Sequence, residues 1–234
     1  MRAWTCGRIF ELQYKRGHAR LYHRPMKIRW GKVAVFVLCL IPLAFLIWKA
    51  MNGLLGADPV AVITHATGDW TIRFLLITLA VTPVRKLTRQ YWLIRYRRML
   101  GLFAFFYGCL HLLTWIVVDK FFDFPEMLAD IAKRRFITVG MLAFVLMIPL
   151  ALTSTQKAIR RMGKRWVKLH RLIYFSAIAG VIHYWWLVKA DITLPRMYAL
   201  ILAGLLLYRI VDWAARKRGR EPRPAATKPQ TVTS

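Results

Sequence analysis

The chain has 234 residues, 58% of them hydrophobic, and carries 37 basic against 10 acidic side chains, a formal charge of +27. So much apolar content with so lopsided a charge excludes an ordinary soluble domain and leaves a membrane protein or a nucleic-acid binder. The placement of the charges along the chain decides between them.

Residues 1–32 form a basic N-terminal tail with nine basic residues against one acidic. It contains Pro25 and lacks the apolar core and small-residue cleavage site of a secretory signal. It reads either as a disordered basic tail or as a stretch preceding a start at Met26, which opens MKIRWGK. Residues 33–211 follow as a membrane domain. Charge-free runs from Val33 to Trp48, Met99 to Val118, Phe136 to Gln156 and Leu172 to Val188 approach the roughly 20 residues that cross about 30 Å of hydrocarbon. Two further spans are expected from Trp70 to Val84 and from Ile192 to Tyr208. Arg73 and Arg196 interrupt them near one end, where a long side chain snorkels to the interface. Residues 212–234, with their Pro, Ala, Thr and Gln, read as a disordered tail. The predicted fold is an all-α membrane protein, a bundle of six transmembrane helices.

The connecting segments alternate in charge. The N-terminal tail, Arg85 to Arg98 (six basic, no acidic), Lys157 to Arg171 (seven, none) and Arg209 onward (seven, two) hold the excess. The other three connections hold two against two, four against four and two against one. Basic residues concentrated in alternate loops are what the positive-inside rule expects, with both termini in the cytoplasm. A nucleic-acid protein has no reason for such alternation.

Cys6, Cys39 and Cys109 form no CxxC or CxxCH, and no pair is assignable as a disulfide. There is no GxGxxG and no P-loop, so redox equivalents must come from outside the chain. No fixed period repeats internally.

The histidines carry the chemistry. The third and fifth spans both run outward, and His111 and His183 lie seven and five residues before their outer ends. Both then sit roughly 7–10 Å inside the outer boundary, on parallel helices. Two level imidazoles suit the axial positions of a heme iron, and a six-coordinate site suits electron transfer because nothing is left open for substrate. A buried histidine bonded to a neighbouring helix is the plain alternative for either one alone. A proton relay would recruit intramembrane carboxylates, yet the acidic residues fall in connections and tails; zinc would want three or four ligands.

His170 stands at the cytoplasmic mouth of span five, about 20 Å from His183 and off its stripe. A second heme there would need a partner thirteen or fourteen residues before His111, where Arg98 and Arg97 stand. Arginine does not ligate iron; it suits propionates, a flavin phosphate or lipid heads, or plain positive-inside anchoring. His65, in the outer connection before span two, competes as a ligand or propionate partner. Arg73 either pairs with Asp69 four residues earlier or reaches a propionate. Trp115, Tyr184, Trp185 and Trp186 read as an interfacial belt.

The stretches LLGADPVAVITHATG, RYRRMLGLFAFFYGCLHLLTW, LALTSTQ and GKRWVKLHRLIYFSAIAGVIHYWW, in this order, closely resemble the MsrQ (YedZ) family, the heme-binding membrane subunits of the periplasmic methionine sulfoxide reductase system. The resemblance covers roughly Ile28 to Arg209, within the ferric-reductase-like transmembrane proteins. It implies a b-type cytochrome of the bacterial inner membrane that also uses FMN. Electrons would come from the quinone pool or a cytoplasmic flavin reductase and pass to an MsrP-type periplasmic molybdopterin subunit. The chain would be an electron-transfer subunit and not the catalytic one. By motif, His111 and His183 would ligate heme b and His170 would assist a second cofactor. Arg98 or Arg97, standing where the two-heme oxidases carry an inner histidine, puts a second heme in doubt. A standalone ferric or quinone-linked reductase is the alternative; a transporter or structural protein would carry no chromophore.

Overall fold

The structure, a computed structural model, describes residues 30–188 and 191–218. Cys6, the start at Met26 and most of both expected tails lie outside the described residues. The chain divides into two units, residues 1–38 and 39–234. In the first, the described residues are the opening turns of one helix, mostly exposed.

The described secondary structure is helical. Helix α1 is Trp30–Met51, α2 Pro59–Leu87, α3 Ile94–Leu113, α4 Phe124–Lys133 and α5 Arg135–Leu152. Two short helices, α6 (Gln156–Met162) and α7 (Lys164–Leu169), lead to α8 (Leu172–Leu187) and α9 (Thr193–Arg218). The starts follow from local chemistry. Asp58 caps α2 by accepting from Ala61 N at 2.9 Å, with Pro59 behind it, and Asp123 caps α4 in the same way through Glu126 N. Between α6 and α7 the chain turns at Gly163, whose φ of +50° a side chain would resist.

Among the described residues, four helices are long and apolar enough to cross a membrane: Trp30–Met51, Tyr91–Asp119, Arg135–Leu152 and Thr193–Ala215. They correspond to the expected first, third, fourth and sixth spans. The expected second and fifth are helices but fall outside this group. Helix α8 has only 16 residues. Helix α2 has 29, yet Asp69 and Arg73 dilute its apolar run, and it buries nine residues from Thr67 to Pro83. A helix walled by protein does not need an oily surface on every side. It also begins earlier than expected, so His65 is helical and not in a connection.

Helix α2 packs chiefly on α3, and α5 chiefly on α8; α9 leans on α2 and α8. The aromatic core Trp70, Phe74, Phe103 and Tyr107 seals the α2/α3 pair, with Phe74 and Tyr107 stacked at 5.3 Å. Tyr107 is 1% exposed and its hydroxyl enters helix α1 beside Pro42. It donates to Cys39 O at 2.9 Å and accepts from Leu43 N at 3.2 Å, bridging an i/i+4 pair beside the proline, where helical hydrogen bonding is interrupted.

Candidate functional site

His111 closes α3, one residue pair before a π-helical turn, Thr114–Asp119, and His183 lies in the last turns of α8. The two rings meet, their centroids 6.1 Å apart at an interplanar angle of 77°. Each is fixed in the same manner. His111 Nδ1 donates to Thr64 O at 2.9 Å and His183 Nδ1 to Phe136 O at 2.7 Å. A carbonyl only accepts, so Nδ1 carries the proton in both rings and Nε2 keeps its lone pair free.

The rings have room because glycine stands one turn beyond each carbonyl. A Cβ at Gly68 would meet the His111 ring at 3.1 Å, and one at Gly140 would meet the His183 ring at 2.6 Å. The two halves match: each histidine reaches a carbonyl 47 residues earlier. Thr64, Gly68 and His111 recur as Phe136, Gly140 and His183, shifted by 72 residues. The repeat is carried by backbone carbonyls and missing side chains, which residue identities do not display.

Both rings line one cavity of about 310 Å³ with Ile72, Leu75, Phe144 and Met147 on its apolar walls. His65, itself exposed, Asp69, Trp115 and Tyr184 also line it. Trp115 and Tyr184 therefore belong to the cavity wall, while Trp185 and Trp186 are the exposed pair that fits an interfacial belt. Arg73 does not turn to the histidines: its Nε donates to Tyr198 OH at 2.8 Å, and Nη2 reaches Asp69 at 3.5 Å.

At the other end of the helices, His170 and Arg97 are electrostatic neighbours. His170 caps α7, stacks on Trp166 at 3.7 Å and donates from Nδ1 to Trp166 O at 3.1 Å. Arg98 is half-buried in the opening turns of α3, without a hydrogen bond or ion pair among the described residues. The sequence reading missed Arg85 and Arg209 here, both counted as plain loop or helix-end charge.

Residues 67–181 match the family described as ferric reductase like transmembrane component. Among curated proteins, the chain is 50% identical over 206 residues to the protein-methionine-sulfoxide reductase heme-binding subunit MsrQ of Herminiimonas arsenicoxydans, covering 87% of this chain and 94% of that one. The subunit of the same name from Rhodospirillum rubrum is 50% identical over 196 residues, 83% and 94% of the two chains. That of Azospira oryzae is 49% identical over 210 residues, 89% of each. No solved structure matches. The helices and these matches define a multi-pass membrane protein with a ferric-reductase-like domain. The chain belongs to the MsrQ family.

Proposed function

We propose that the chain is a b-type cytochrome subunit that carries electrons across the bacterial inner membrane to a periplasmic methionine sulfoxide reductase, and that His111 and His183 would hold its heme iron. One observation carries this reading: two imidazoles, each locked by a carbonyl with Nε2 free, face one apolar cavity at 6.1 Å. A neutral imidazole with a free Nε2 is the donor that would hold a heme iron, and two of them stand at this cavity. Gly68 and Gly140 supply the space that this arrangement needs. Bound heme supplies a one-electron couple on its iron.

The residues do the rest. The carbonyls of Thr64 and Phe136 hold the tautomer and make the rings better donors, as outer-shell partners of metal-bound histidine do. Ile72, Leu75, Phe144 and Met147 keep the pocket dry. No bond-making chemistry is asked of the chain. Two expectations follow from family likeness: electrons from the quinone pool or a cytoplasmic flavin reductase, with FMN as a further cofactor, and an MsrP-type molybdopterin subunit as recipient. The names of the relatives, heme-binding subunits of a methionine sulfoxide reductase, support the system and the heme.

His111→Ala and His183→Ala should each abolish the heme absorption bands of the purified protein, with partial recovery on adding imidazole. Normal bands in both variants would remove this pair from the iron.

A further inference from the structure

The connection from α3 to α5 is tethered at both ends. The helices Tyr91–Asp119 and Arg135–Leu152 are each long and apolar enough to cross a membrane, and only residues 120–134 lie between them. Helix α4 takes up ten of these residues, so the little chain left over cannot carry it far from the points where the two spans leave the hydrocarbon.

Three directions around α4 differ in character. Met127 and Asp130, each 8% exposed, turn toward the protein, where Asp130 meets Lys120 and Arg134. Phe124 and Leu128, neighbours at i and i+4, are 63% and 68% exposed, and exposed Ala132 continues their stripe. Glu126 and Lys133 are also exposed, but at about 100° per residue they point roughly opposite to that stripe. A helix resting on a protein in water shows polar residues in every exposed direction. This one shows them on one flank and an apolar row on the other.

The turn into α4 adds to the apolar side. Phe121 and Phe122 have φ of +47° and +62°, a left-handed conformation that glycine adopts at far less cost than a bulky side chain. Phe122 N donates to Ile116 O at 3.0 Å and Asp123 N to Lys120 O at 2.8 Å, which holds the turn in place. The rings it carries are 80% and 55% exposed, so neither the backbone nor packing within the chain calls for aromatic residues there. Val117 and Val118, exposed in the last turn of the preceding span, make this surface continuous with the outside of the bundle.

We infer that α4 lies in the plane of the bilayer interface, with Phe121, Phe122, Phe124 and Leu128 sunk into the boundary between headgroups and acyl chains and with Glu126 and Lys133 in water. Amphipathic helices bind lipid in this manner. A soluble partner would approach from the water side, which is the flank of Glu126 and Lys133, so lipid is the occupant that fits the apolar flank. Asp119 and Arg134, at the two ends of the connection, line the histidine cavity, and seating α4 in lipid therefore steadies the rim of that cavity. The inference requires a multi-pass chain and does not rest on the heme reading.

The test uses the full chain in vesicles of phosphatidylcholine and phosphatidylglycerol. Nitroxide labels are placed one at a time through Phe124→Cys, Leu128→Cys, Glu126→Cys and Lys133→Cys, in a background of Cys6→Ala, Cys39→Ala and Cys109→Ala. Access of oxygen, which concentrates in lipid, is compared with that of a water-soluble nickel chelate by power saturation. The ratio of oxygen to chelate access should be several-fold higher at Phe124 and Leu128 than at Glu126 and Lys133. Equal ratios at the four positions would overturn the inference and leave the face to a soluble protein partner. Should the cysteine-free background fail to fold, benzoylphenylalanine is placed at Phe124, Leu128 or Glu126 of the chain with its cysteines intact and irradiated in the same vesicles. Phospholipid adducts at the first two positions and not the third are expected; their absence at Phe124 and Leu128 would equally sink the inference.

Discussion

Single residues set the tolerances of the histidine pocket. Gly140 is the tightest point, since an added methyl would lie 2.6 Å from a ring that is itself tied to Phe136 O, against 3.1 Å at Gly68. Gly140→Ala is therefore expected to broaden or abolish the heme bands, whereas Gly68→Ala should keep them with a shifted midpoint potential; redox titration of both variants checks the order. Tyr107 is the second such point. Tyr107→Phe would leave Leu43 N–H and Cys39 C=O without their bridge inside apolar surroundings, a loss of about 1–3 kcal/mol. A thermal midpoint that does not fall would show that α1 closes the gap unaided. The imidazoles were legible in the sequence because a histidine in an oily run stands out. Their supports were not: Thr64 and Phe136 act through main-chain carbonyls that every residue has, and Gly68 and Gly140 act through what they lack.

At the scale of elements, the spans read from charge-free runs matched helices closely where charge marks the ends. Leu172 to Val188 became Leu172–Leu187, and Met99 to Val118 falls within Tyr91–Asp119. Helix α2 was foreshortened because its first turns hold His65 and Asp69, polar residues that line a cavity. The connection between α3 and α5 is held by charge. Lys120 Nζ meets Glu126 at 2.6 Å and Asp130 at 2.7 Å, and Arg134 Nε meets Asp130 at 3.1 Å. The Lys120 hydrogen bond, foremost, holds the Asp130 carboxyl below its usual range, and the bonds from Asp130 and Glu126 push the Lys120 ammonium upward. A depressed carboxyl contributes stability above its unfolded value of about 3.9 and loses it as pH falls through the folded value. A raised lysine contributes below about 10.4 and loses it only as pH climbs through its folded value. The connection should thus stay closed through neutral pH and loosen on the acid side, read as faster amide exchange over α4 below about pH 4. Lys120→Met, which strips Asp130 of its nearest partner and leaves it Arg134, should cost about 1–3 kcal/mol and bring the same exchange to pH 7.

For the whole molecule, the alternation of basic and balanced connections sets the orientation to be tested. Reporters fused after α9 and within the α4 connection should light up on opposite sides of the membrane, the former cytoplasmic; the reverse pattern would invert every statement about inner and outer ends. The two-part build of the histidine pocket reaches further. One helical hairpin, α2 with α3, owns the first ring, its carbonyl and its bare backbone position, and α5 with α8 owns the second set. Neither helix pair alone holds a gap to fill, so the span across which an ion would be gripped is the distance between the two pairs. A thicker bilayer or a partner seated on one hairpin would act on that distance as a hand acts on calipers, without touching either jaw.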